Sequence, residues 1–521
     1  MSRFWWAKRL VWVGVFLGLV LIGGAWAVAT PIGGTPDEKA HIYHAAGVAG
    51  GDFFAKPTDA KYGTGVFHEI PQNLVNGCEK GGIADFCANP QDPDKLVRVG
   101  TYTGRYNPLY YAAVGVPLRL WPNAAGLLAS RMISVLLVAA VLTAAIYSAA
   151  RWSRSRVLIP ALVVAGTPML FHLMGAVNPN ALEIAAGTLF FCALIPLADP
   201  STTVHAACVR LAGVAGILLV TLRGLGPLWL AIGLVVVLAG AGRGRLRELA
   251  RHRTVRRWGV AVLVAGAAGV AWTVLFKATA GAEVATQHVG PLDALKTMVL
   301  VYWGAILIQM VGNLGYLSTA LPGFVVFTWA AVVGFLVVGV GVLGSRSAKV
   351  RVLALILACL AIPTLAVVTA VDTLDFFWQG RYSLPLAVCV PLICAHELAV
   401  AGVLTGPAIR RLTRMLVVVL LPAQLIGLLM ILVRWQNNMV QVGVDLPLNP
   451  LESTGWRPAL GPLLPIVLMF VGLTVVGWAY LALVRPAVAA AGESPPAEQR
   501  ESPVDSSDRP EVREALAVNP A

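Results

Sequence analysis

A chain of 521 residues that is 58% hydrophobic and only 12% charged is not a soluble domain, where about 25% of residues carry charge. It reads as an all-α polytopic membrane protein. The net charge of +13 would suit a nucleic-acid binder, but the Lys and Arg residues sit mostly in short clusters between apolar runs, as membrane topology requires; nucleic acid is excluded as a partner.

The basic start MSRFWWAKRL leads into an apolar run over residues 10–30. That run is longer than the roughly 7–15 residues of a signal-peptide core, so the first element is a transmembrane helix and residues 1–9 form a cytoplasmic N-terminus. TPDEKAH, Thr35 to His41, follows directly. Ser/Thr-x-x-Glu is a capping box, with Thr35 as N-cap, Pro36 at the first helical position and Glu38 as reciprocal partner. Asp37, His41 and His44 then fall at i, i+4 and i+7, on one helix face. The first outer loop, about 31–124, is the largest and is expected to hold short amphipathic helices. It contains CEKGGIADFC, whose Cys78 and Cys87 are read as a disulfide closing a small loop. It also contains GTYTGRYNPLYYAAVGVP, an aromatic-rich stretch that places Arg105 and Tyr106 beside a polar pocket.

Eleven more spans bring the count to twelve, near 125–149, 156–174, 180–197, 206–222, 224–241, 258–276, 323–344, 351–371, 383–403, 412–433 and 462–484. Each approximates the 17–25 residues needed to cross about 30 Å of hydrocarbon. Four basic loops then fall on the cytoplasmic side with both termini: Arg151, Arg154 and Arg156; Arg243 to Arg257; Arg346, Lys349 and Arg351; Arg410, Arg411 and Arg414. Smaller outer loops lie at 175–179, 277–322, 372–382 and 434–461. TMVLVYWGAILIQMV, residues 297–311, is short, and as a span it would move the next two basic loops outside. It is read as a re-entrant or interfacial helix. The transmembrane domain covers 10–484, and the Pro-, Ser- and charge-rich segment 485–521 is expected to be a disordered cytoplasmic tail.

The chemistry gathers at the outer ends of the spans. A helix start keeps Asp37 ionised, which suits a general base. Asp37, Glu38 and His41 could alternatively hold a divalent cation such as magnesium or manganese; no cofactor is required by the sequence. Outer arginines run against the positive-inside trend and can pair with phosphate: Arg223 in TLRGLGPLW, Arg381 in FFWQGRYSLP beside Gln379 and Tyr382, and Arg434 and Arg457 later. MGAVNPNALE adds Asn178 and Asn180. Arg131 and Glu183, inside spans, are expected to pair with each other, and His396 and Glu397 to be interfacial.

TPDEKAHIYHAAGVAGGDF, YNPLYYAAVGVP, TPMLFHLMGAVNPNALEIAAG, GNLGYLSTALP and QGRYSLPL occur in an order that resembles a bacterial multi-pass family known only as domain of unknown function 2142. The resemblance covers about residues 10–485. That family is similar in layout to the GT-C class of integral-membrane glycosyltransferases, which includes protein O-mannosyltransferases, aminoarabinose transferases and mycobacterial arabinosyltransferases. DEKAH resembles the Asp-Glu-x-His element of the O-mannosyltransferases. Asn180 departs from the pattern, since Asp is expected there.

The resemblance implies a plasma-membrane enzyme that takes sugar from a polyprenyl-phosphate donor to an envelope glycan, lipid or protein acceptor, on the outer face, by inverting single displacement. It implies Asp37 and Glu38 as the catalytic acids. His41, His44, Arg105, Tyr106, Asn178, Arg223, Gln379, Arg381 and Tyr382 would bind substrate, with membrane lipids around them. A transporter or flippase of lipid-linked precursors, needing free mid-membrane charges such as Arg131 and Glu183, and a non-catalytic scaffold are the competing readings.

Overall fold

The computed structural model describes residues 2–57, 66–75, 77–80, 83–86, 95–279, 288–437, 439 and 449–485. Up to Val484 they belong to one compact unit. The expected tail lies outside the described residues from 486 onward, and so does Cys87, with the disulfide expected for it.

The chain enters as α1 (Ser2–Ala29) and passes into a long loop that holds α2 (Glu38–Ala49), β1 (Lys56–Pro57), β2 (Val66–Pro71), β3 (Gly77–Lys80), β4 (Ile83–Phe86), β5 (Leu96–Gly100) and α3 (Pro108–Leu120). The strands were not expected. β2 pairs antiparallel with both β1 and β5, with His68 opposite Val99, and β3 pairs with β4. Nor is α2 an amphipathic surface helix: Glu38, His41, Ile42, His44 and four further residues up to Val48 are buried.

Then come α4 (Ala124–Trp152), α5 (Leu158–Ala165), α6 (Pro168–Met174), α7 (Pro179–Ala198), α8 (Ala206–Leu222), α9 (Gly226–Leu238), α10 (Gly242–Arg251) and α11 (Arg253–Leu275). Asparagine caps start several of these elements: Asn107 accepts from Leu109 N, Asn123 from Ala125 N, and Asn178 from Asn180 N, with Pro108 and Pro179 at first helical positions. The expected span 156–174 is instead broken at Gly166 and Thr167. Pro168 has no N–H for the Val164 carbonyl, which Trp329 Nε1 takes at 2.8 Å, and Gln424 Nε2 satisfies the Gly166 carbonyl at the break, also at 2.8 Å.

The rest comprises α12 (Pro291–Thr297), a π-helical turn (Met298–Tyr302), α13 (Trp303–Gly312), the pair β6 (Asn313–Leu314) and β7 (Thr319–Ala320), α14 (Gly323–Leu343), α15 (Arg346–Leu374), α16 (Gly380–Ala387), α17 (Cys389–Val400), α18 (Gly406–Leu420), α19 (Pro422–Gln436) and α20 (Leu463–Leu483).

Among the described residues ten helices are long and apolar enough to cross a membrane, and α8 and α9 are shorter apolar helices. With these two the apolar helices are in keeping with the expected count of about twelve, and the differences lie in position, at 156–174 and 291–312. The ten include Pro291–Gly312, 22 residues long, which was read as re-entrant or interfacial. Its two ends nevertheless lie at the same end of the bundle. Val289 N bonds Asp372 Oδ1 at the close of α15, and Gly315 N bonds His172 Nε2 near the close of α6.

α7 is apolar on all sides and buried throughout, the signature of a central helix. It is crossed closely by α16, where a Cβ on Gly187 would lie 2.3 Å from the Pro385 carbonyl oxygen. α11 and α14 keep most of their apolar surface exposed, as lipid-facing helices do. One end of α7 meets Asp37; the other meets the turn at Arg154 and helix α10 at Arg245, through Asp199 at 3.3 Å and the Leu197 carbonyl at 2.8 Å.

Candidate active site

The adjacent acids of TPDEKAH part company at one backbone torsion. Asp37 sits at φ 62°, ψ 2°, the left-handed region, as the residue just before α2. Asp tolerates this conformation better than most residues, at a cost of about 1–3 kcal/mol of the kind stored at functional sites. The expected capping box does not form. Helix α2 begins at Glu38, Asp37 makes no side-chain cap bond, and Thr35 Oγ1 is buried without a partner.

Glu38 is drawn inward by Arg131. Arg131 Nε donates to its Oε1 at 2.7 Å and Nη2 to its Oε2 at 2.6 Å. Val177 N and Gly33 N donate to the same two oxygens at 3.2 and 3.0 Å. The remaining Arg131 donors reach the carbonyls of Ala27, Thr30 and Pro31 at 2.8–2.9 Å. All five guanidinium N–H groups are thereby used. Arg131 therefore pairs with Glu38 and not with Glu183, and Glu38 has no lone pair left for a substrate.

Asp37 faces the other way, into a cavity of about 440 Å³, within the size range of small-molecule sites. Its Oδ2 accepts from Arg381 Nη2, and the Tyr102 hydroxyl bonds the same carboxylate. Burial alone would raise its pKa. Arg381 chiefly, with Tyr102 and Arg223, outweighs burial and holds the carboxyl below the usual 3.8. Its side chain stays 29% exposed, so it is ionised and reachable.

Arg381 itself is only 1% exposed. It bonds Gln379 Oε1 and, at 3.2 Å, the Tyr382 hydroxyl, and it stands behind Asp37 without lining the cavity. Arg223 is the cation on the cavity wall, 4.7 Å above the Tyr382 ring and 3.9 Å from Glu183. Glu183 also accepts from Asn180 Nδ2 at 3.1 Å. Tyr102, Tyr106, Gln379, Phe377 and Trp378 complete the main walls.

The two histidines of the motif lie behind the site and do not line it. His41 Nδ1 meets the Tyr111 hydroxyl at 2.8 Å, and burial pushes its pKa down to about 3. His44 bonds His68 at 2.8 Å and the Tyr106 carbonyl at 3.1 Å, and His68 meets Asp52 at 3.0 Å. This chain ties α2 to β2 and to the cavity wall at Tyr106. Asn178 acts on the backbone, donating to the Pro36 carbonyl at 3.0 Å. Arg105 is outside the lining; its carbonyl accepts from Trp272 Nε1 at 3.0 Å. Arg434 packs over the Trp435 ring at 4.3 Å and Arg457 is exposed, and neither lines the cavity.

Among the described residues no group of three His, Cys, Asp or Glu side chains is arranged to hold a metal ion. The set Asp37, Glu38 and His41 does not assemble, because Glu38 is saturated by Arg131 and His41 is turned to Tyr111.

Tyr102, Asp52 and His68 were missed from the sequence. Tyr102 did carry a signal, the TYT of GTYTGRYN: Thr101 and Thr103 both donate to the Ala40 carbonyl, at 3.0 and 2.7 Å, and pin the tyrosine between them against α2. Asp52 and His68 carried none.

A family model described as predicted membrane protein (DUF2142) matches residues 19–390. The chain belongs to the DUF2142 family. The matched region of this DUF2142 protein includes the whole Asp37 cavity. No curated protein matches the chain. Among solved structures it is similar to ArnT from Cupriavidus metallidurans bound to undecaprenyl phosphate, at 12% identity and a TM-score of 0.41, over 93% of this chain and 77% of that one. The apo state of the same protein gives 12% identity and a TM-score of 0.42, over 92% and 77%.

Proposed function

We propose that this DUF2142 protein is an integral-membrane glycosyltransferase of GT-C type that moves a sugar from a polyprenyl-phosphate donor to a cell-envelope acceptor. The observation that carries the reading is Asp37: an ionised, partly exposed carboxylate, fixed by Arg381 and Tyr102, on the wall of a cavity whose other charged groups include Arg223. Asp37 takes the proton of the acceptor hydroxyl as it attacks the anomeric carbon, and the phosphate leaves from the opposite face, so configuration inverts. Arg223 meets the charge that grows on that phosphate, and Phe377 and Trp378 offer faces for the sugar or the first isoprene units. Arg381 is a positioning residue, holding Asp37 ionised and aimed. The Arg clusters at the far end support a cytoplasmic placement of that end and of both termini, with the cavity outside.

A flippase would need free charges within the membrane. Arg131 and Glu183 are both already bonded, which favours the transferase. The test is Asp37→Asn in the native host, comparing lipid-linked sugars and envelope glycan with a deletion strain. The variant should reproduce the deletion's missing glycan and accumulate donor. Full restoration of the glycan would remove Asp37 as the base.

A further inference from the structure

Glu183 is the second carboxylate on the wall of the Asp37 cavity, and it has few hydrogen bonds for so buried an acid. Its side chain is 2% exposed. Oε2 accepts from Asn180 Nδ2 at 3.1 Å and lies 3.9 Å from Arg223 Nη1, beyond hydrogen-bond reach. Among the described residues Oε1 bonds nothing, and it is left to the cavity that Glu183 lines. Glu38, equally buried, takes four donors. A buried carboxylate short of donors carries a cost that a hydroxyl of a ligand relieves.

We propose that Glu183 accepts a hydrogen bond from the transferred sugar, from the hydroxyl on the ring carbon next to the anomeric centre. On the transferase reading, on which this rests, the donor is then a polyprenyl-phosphate sugar that keeps this hydroxyl free.

Position selects that hydroxyl. Arg223 is the cation proposed to meet the donor phosphate, and Glu183 is the carboxylate beside it. The phosphate is bonded through oxygen to the anomeric carbon, so the hydroxyl one carbon along the ring is the sugar hydroxyl nearest Arg223. Hydrogen bonds to it strengthen as positive charge builds on the ring during glycosyl transfer, and a carboxylate acceptor makes the stronger, charge-assisted kind.

Glu183 also shares a frame with Asp37. Asn180 and Glu183 stand at i and i+3 on one face of α7. Asn180 Nδ2 donates to Glu183 at 3.1 Å and to the Arg381 carbonyl at 3.3 Å, while the Arg381 side chain holds Asp37. One residue of α16 thus ties both carboxylates together, Asp37 for the acceptor and Glu183 for the donor. An aspartate at 180 would bring a second negative charge to Glu183 and no donor.

The test titrates full-length protein in detergent with short-chain polyprenyl phosphates, bare or carrying glucose, mannose or 2-deoxyglucose, read by native mass spectrometry. Glucose and mannose differ only at the carbon in question, so the single deoxy sugar is the reference for both. The parent should bind the better epimer about 10–100-fold more tightly than the deoxy probe. Glu183→Gln should lose most of that preference and bind the bare lipid as the parent does. Equal affinity of the parent for all three sugars overturns the proposal and leaves the transferase reading standing. So does a Glu183→Gln protein that weakens on every probe, bare lipid included, since Glu183 would then serve only to seat Arg223. A parent that does not bind the bare lipid phosphate defeats the donor reading, and the role of Glu183 with it.

Discussion

Glu38 and Arg131 stand 93 residues apart and meet in a two-pronged ion pair, at 2.7 and 2.6 Å, in which every oxygen lone pair and every guanidinium donor is engaged. The pair joins the end of α1, the start of α2 and the α6–α7 turn at one point, and it separates the acid bonded inward from the one that lines the cavity. Removing one member leaves the other as a buried charge with unmet hydrogen bonds. Glu38→Gln or Arg131→Met alone should therefore cost about 3–5 kcal/mol, and the double variant should recover part of it. Thermal unfolding in detergent, with all three proteins compared, checks this.

Asp37→Asn removes the proposed base while keeping the side chain's size. Turnover with a polyprenyl-phosphate sugar, measured per folded protein, should fall by about 10²–10⁴-fold, and melting temperature should fall as well, because Arg381 stays buried without its counter-charge. Unchanged turnover per folded protein would place Asp37 in the scaffold.

Arg381 works on Asp37 through charge. With Arg381→Gln the opposing influence of burial prevails and the Asp37 pKa rises from its depressed position. The acid limb of the pH–rate profile should then move toward neutrality. Arg381→Lys keeps the charge and loses the fork, so it should restore the limb's position more than the rate.

Arg223→Gln tests the leaving-group side. If Arg223 meets the developing phosphate charge, kcat should fall by about 10²-fold, and KM for the donor should rise less. A change confined to KM would make Arg223 a ground-state contact only.

Acid should loosen the fold before it silences the base. His41 has a pKa of about 3 in the folded chain against 6.5 when unfolded. Between those values the unfolded chain carries a proton that the folded one refuses. Stability from this residue is therefore complete above 6.5 and is lost as pH falls toward 3, by about 1.4 kcal/mol per unit. Asp37, held below 3.8, is still ionised over most of that range. Melting temperature measured from pH 7 to 4 should decline, and His41→Gln should flatten the slope.

The membrane class, most span positions and the TPDEKAH and QGRYSLP segments could be read from hydropathy and residue type. Asp37 and Arg381 were both selected as candidates, but their contact was not visible. The pair is 344 residues apart, and nothing local encodes such a distance. Local rules failed where tertiary contacts overrode them. Thr35 through Glu38 matches a capping box, yet buried Arg131 offers Glu38 two charge-assisted bonds and takes it away from the cap. His41 and His44 do share a face with Asp37's helix start, but that face is packed on Tyr111 and His68. The break at Gly166 was hidden because both halves are equally apolar, and hydropathy alone has no term for where Gln424 would arrive.

The 344-residue interval between Asp37 and Arg381 also orders the birth of the site in time. Ribosomes deliver Asp37 with the first helix and Arg381 only at the start of α16, so a nascent chain carries the acid through most of its synthesis without the cation that fixes it. A chain truncated before Gly380 would hold the Asp37 carboxylate without the partner that aims it into the cavity. The pair is complete only once α16 has been inserted.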